Sequence, residues 1–150
     1  MVWLAFGGAL VVVLTLLVSG VAKARQPHTT VAALVALHLH SYVPVKWVAR
    51  LLPWVELGLA GVVLLASGVF AVVGATATLG LMLVFWLVVA RALAQGATEP
   101  CQCFGGLSSA PLSRRTLVRN TFLVACAAAA LYGAVIYRAG VLALLPHLLA

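Results

Sequence analysis

Cys101 and Cys103 stand one residue apart in Cys101-Gln102-Cys103-Phe104-Gly105-Gly106, the densest group of reactive side chains in the sequence. Two thiols at this spacing can close on each other as a strained disulfide or grip a soft metal ion through two thiolates. Gly105 and Gly106 permit backbone angles that other residues resist, which suits a loop holding two sulfurs together. Pro100 keeps the approach extended and stops a helix arriving from Arg91. Arg91, Arg114 and Arg115 flank the loop, and positive charge favours the thiolate, which is both nucleophile and metal ligand. Glu99 acts in the opposite sense. The plainer alternative is a pair of free loop cysteines beside arginines that only set topology.

Glu56 is the second chemical feature, a carboxylate inside an apolar run in Pro53-Trp54-Val55-Glu56. A carboxylate at membrane depth needs a cation, a proton or a polar cavity. Lys23, Arg91 and Arg119 are the available cations, with Lys23 first because it closes one apolar run as Glu56 opens the next. The pair either fixes helix register or handles a proton. Pro53 and Trp54 read as an entry turn and an interfacial anchor. Cys126 falls in mid-run beside Ala127 to Ala130 and reads as a small buried hydrophobe on a packing face. His38 and His40 are two apart, so a helix sends them to nearly opposite faces, and interfacial histidines are the preferred reading over a joint metal site.

The elements that position these residues follow from composition. The chain has 150 residues, 65% of them hydrophobic and 7% charged, with a mean hydropathy of +1.22. A soluble domain of this size cannot hide that much apolar surface, so the chain belongs in a lipid bilayer. The net charge of +7 comes from basic residues at the ends of apolar runs, which is how spans are flanked and not how nucleic acid is bound. Three cysteines build no disulfide scaffold.

Val2 to Ala22 is uncharged and long enough for a ~30 Å hydrocarbon core. It lacks a basic residue ahead of it and exceeds a typical signal core, so it is expected to be retained. His28 to Tyr42 is too short to span and is expected at the interface or over the bundle. Leu51 to Ala90 would reach ~60 Å as one helix, so it must fold into two spans with a turn at Ser67-Gly68-Val69-Phe70 or, alternatively, at Gly74. Ser113 is a good N-cap for the next helix, and the last twelve residues are too short to span. The expectation is an all-α, polytopic four-transmembrane-helix bundle forming one domain over 1–150, with spans near 2–22, 48–67, 71–91 and 116–137.

In such a bundle the first and third connections share a side. That side carries eight of the nine Lys and Arg residues, and Arg138 alone lies opposite. Arg50 and Arg119 could inflate the count if they lay inside the bundle, but six against one would remain. The positive-inside rule then puts both termini outside the cell membrane and the cysteine loop in the cytoplasm.

Ser19-Gly20-Val21-Ala22-Lys23, Leu52-Pro53-Trp54-Val55-Glu56-Leu57-Gly58 and Cys101-Gln102-Cys103-Phe104-Gly105 before Arg119-Asn120 together resemble the MauE family. This is the methylamine-utilisation branch of the DoxX-like four-helix membrane proteins. The resemblance implies a redox-associated membrane protein that supports maturation of a disulfide-rich partner, of the methylamine dehydrogenase type, alongside a thioredoxin-like protein. Disulfide formation outside the cell would call for the opposite orientation to the one the charge count gives. Three functions follow. The leading one is thiol–disulfide exchange, of the kind an oxidoreductase performs, with Cys101 and Cys103 catalytic and Glu56, Lys23, Arg91 and Arg119 supporting. The second is soft-metal binding by the same two thiolates, and the third is a structural membrane subunit. No cofactor is required by the sequence, though a quinone or soft metal would be compatible.

Overall fold

The computed structural model describes residues 2–36, 44–96, 113–138 and 140–143. The sequence positions Cys101, Cys103, Glu99, His38 and His40 lie outside the described residues. The described residues form the helices α1 (Val2–Arg25), α2 (Pro27–Ala36), α3 (Val45–Leu65), α4 (Val69–Ala94) and α5 (Arg114–Tyr137). α1, α3, α4 and α5 are each long and apolar enough to cross a membrane. Helices suit these runs because they satisfy every internal backbone group without water.

The four long helices form a ring in which α1 packs on α3 and α5, and α4 packs on α3 and α5. Neighbours run antiparallel. Gly20 of α1 lies against Pro53 and Leu57 of α3, while Gly8 lies against Cys126 and Ala129 of α5. Trp86 of α4 donates to Thr121 of α5 at 2.9 Å, and Ala71 and Ala75 cluster with Ala134 at the other end. The result is an up-down-up-down bundle whose core draws Val12 and Leu16 from α1, Ala60 from α3, Met82 from α4, and Leu123 and Ala127 from α5. Its outer surface is also apolar, with Trp3, Leu14, Trp54, Val73 and Phe122 exposed. Water would penalise that surface, and lipid matches it.

Several boundaries differ from the sequence expectation, for physical reasons. α3 starts at Val45 directly after Pro44, which places Pro53 in the helix interior and not in an entry turn. Proline is tolerated there because neighbouring helices cover the backbone it disturbs, and Pro53 is buried. The α3–α4 turn falls at 66–68, with Gly68 at a φ of 62° that glycine adopts without strain. Gly74 lies within α4, against Val62. Ser113 occupies the N-cap position of α5 in extended conformation but makes no side-chain capping hydrogen bond.

The chain after α5 returns to this turn. Gly68 N–H donates to the Arg138 carbonyl at 2.7 Å, and Gly140 N–H donates to the Ala66 carbonyl at 2.9 Å. A Cβ on Gly140 would come within 2.7 Å of the Ala66 carbonyl oxygen and 2.8 Å of that of Val63. Only glycine fits so close, and Val141 beside it is buried in the core.

Candidate functional site

The site is built where α1 meets α3. Gly20 brings the two helices together, since a Cβ there would lie 2.9 Å from the Leu57 side chain and 3.2 Å from the Pro53 carbonyl oxygen. Ser19 and Lys23, one helical turn apart, therefore face α3 at the level of Glu56. The Lys23 ammonium donates to Glu56 Oε1 and to Ser19 Oγ, the latter at 2.9 Å. Its charge also sits 4.8 Å from the centre of the Phe85 ring of α4, within cation–π range. Lys23 and Glu56 are 1% and 0% exposed, so neither charge is solvated by water outside the bundle.

α5 contributes Asn120, buried, with its amide donating to the Thr116 carbonyl at 2.8 Å. Four helices thus converge on one polar cluster inside an otherwise apolar core. The cluster lies in the half of the bundle where α1 ends, α3 and α5 begin and α4 ends. Cys101 and Cys103 fall in the sequence between α4 and α5, outside the described residues.

Of the cations expected beside Glu56, the structure brings Lys23 to it. Arg91 and Arg119 are exposed, as is Arg50. Cys126 is buried in the core cluster between Leu123 and Ala127, apart from solvent. Among the described residues no group of three or more His, Cys, Asp or Glu side chains could hold a metal ion. Phe85 and Asn120 were not marked as site residues in the sequence. Phe85 stands in the uniformly apolar run Val84-Phe85-Trp86, where no periodicity singles it out. Asn120 carries a signal, being the one amide side chain between Thr116 and Tyr137.

The fold and the buried pair define a four-span helical membrane protein with a single ionic cluster in its described core. The family model described as Methylamine utilisation protein MauE matches residues 1–133, and the chain belongs to that family. No curated protein and no solved structure matches it.

Proposed function

We propose that this protein is a thiol–disulfide component of the cell membrane serving methylamine utilisation, with Cys101 and Cys103 as its redox pair. The observation that carries the reading is the family match over residues 1–133, a range that includes Cys101, Cys103 and both residues of the buried ion pair. In the exchange, one loop thiolate attacks a partner disulfide, forming a mixed disulfide and releasing a partner thiolate. The second loop thiol then displaces the partner sulfur. A Cys101–Cys103 bond forms as the partner bond is lost, and two electrons and two protons pass to the partner. The reverse sequence delivers the disulfide to a reduced partner. A thioredoxin-like protein or a disulfide-containing client fits that role, since both offer an accessible sulfur pair.

Cys126 supports this assignment by being unsuited to the work. It is buried among Val12, Leu123 and Ala127, where no soluble partner reaches it and a thiolate is disfavoured. The distribution of basic residues favours a cytoplasmic position for the loop.

The test is alkylation mass-shift on Cys101→Ser, Cys103→Ser and Cys126→Ser in oxidised and reduced membranes. Oxidation should bridge Cys101 to Cys103, and either loop variant should trap a partner as a mixed disulfide. Cys126→Ser should leave both results unchanged. A loop pair that never oxidises, yet resists alkylation until a chelator is added, would replace this reading with soft-metal binding.

A further inference from the structure

α1, α3, α4 and α5 enclose a small cavity beside the buried pair, lined by Thr15, Ser19, Glu56, Phe85 and Asn120 among others. Its free volume of ≈ 10 Å³ is about what one water molecule needs. Glu56 presents one oxygen to Lys23, while Oε2 is buried with no hydrogen-bond partner among the described residues. A carboxylate oxygen left so in hydrocarbon is costly, and a buried water is the usual remedy. Asn120 commits one amide hydrogen to the Thr116 carbonyl and retains a second. Thr15 donates its hydroxyl to the Val11 carbonyl at 2.8 Å, which leaves its oxygen able to accept. The cavity therefore offers both acceptors and a donor.

We propose that one water molecule occupies this cavity, donating to Glu56 Oε2 and accepting from the Asn120 amide, and that the Lys23–Glu56 pair exchanges protons through it. The inference stands independently of the thiol chemistry. Glu56 of α3 is the titratable group that lines the cavity, and Lys23 of α1 joins it through its ion pair with Glu56. α4 and α5 line it with Met82, Phe85, Asn120 and Leu123, none of which titrates. A proton reaching this point is therefore held by the pair itself, with the water as its carrier.

Lys23 and Lys46 are the two lysines of the chain, so nitrogen-15 lysine labelling of a Lys46→Arg variant leaves one ammonium signal, that of Lys23. The measurement is hydrogen–deuterium exchange of this signal in lipid nanodiscs, against the backbone amides of Val12 and Leu16. Those residues are 0% and 1% exposed on the same helix. The Lys23 hydrogens should exchange at least about tenfold faster than these core amides, whose opening reports the packed bundle. Asn120→Leu, which fills the cavity with an apolar side chain, should slow Lys23 exchange, and Asn120→Ser, which keeps a donor, should not. Lys23 hydrogens protected as long as the amides of Val12 and Leu16 would overturn the proposal, because the cavity would then be dry. An unchanged rate in a folded Asn120→Leu variant would overturn it equally. Should Asn120→Leu not fold, the comparison in the labelled Lys46→Arg protein still decides.

Discussion

Lys23 and Glu56 lie thirty-three positions apart and are the two charged side chains buried in the described structure, each against the other. Charges at this depth are unfavourable alone, and their mutual attraction, with the Ser19 hydroxyl and the Phe85 ring, offsets the lost hydration. Removing one partner leaves the other uncompensated. Glu56→Gln and Lys23→Met should each destabilise the bundle by about 3 kcal/mol or more, and Lys23→Met with Glu56→Leu should recover most of that loss. Thermal unfolding in detergent reads the stability, and mixed-disulfide trapping reads the function. If Glu56→Gln keeps wild-type stability and trapping, the pair serves neither role.

A second expectation concerns how closely α1 and α5 approach. A Cβ on Gly8 would meet the Cys126 carbonyl oxygen at 2.8 Å and the Ala129 Cβ at 3.0 Å, whereas one on Gly7 would meet nothing within 4 Å. The first contact is with backbone, so it cannot be relieved by a rotamer change. Gly8→Val should therefore cost about 1–3 kcal/mol while Gly7→Val stays near neutral. Equal melting temperatures for the two variants would contradict the helix contact.

Sidedness gives a third. Ser67 lies in the exposed α3–α4 turn and Ser113 at the start of α5, at opposite ends of the bundle. With Cys101, Cys103 and Cys126 replaced by Ser, a thiol at Ser67→Cys should react with an impermeant reagent from outside the cell. One at Ser113→Cys should react only after the cytoplasm is opened, because eight of the nine basic residues lie at its end. The reversed pattern would place the Cys101–Cys103 segment outside.

What could be read from the sequence, and what could not, divides along physical lines. The long helices were legible because bilayer thickness sets the length of an apolar run, and Lys23 was legible as the partner of Glu56 because it closes the first apolar run as Glu56 opens the next, which puts both at one end of antiparallel spans. Interior positions were harder. Pro53 reads as a helix breaker in water, yet α3 carries it nine residues in, where packing on α1 covers the disturbed backbone. Phe85 owes its role to a neighbour two helices away, and a run that is apolar on every face gives no hint of which face turns inward. The return of Gly140 to the α3–α4 turn rests on three backbone carbonyls, a contact that leaves no mark on side-chain pattern.

The ring order of the helices has a consequence for how the protein is made. Both charges lie on α1 and α3, whereas Asn120 arrives with α5, which leaves the ribosome after all three of the other long helices. Inserting a lone charge at helix centre costs about 2.5–3.5 kcal/mol, so α3 gains if α1 is already waiting with Lys23 when Glu56 enters the bilayer. A chain arrested after α4 should already form a disulfide between Gly20→Cys and Leu57→Cys, since a Cβ on Gly20 would lie 2.9 Å from the Leu57 side chain in the finished bundle. If that bridge appears only once α5 has been synthesised, the charges are matched late. If it appears early, the nascent chain neutralises its own obstacle to insertion before α5 closes the ring.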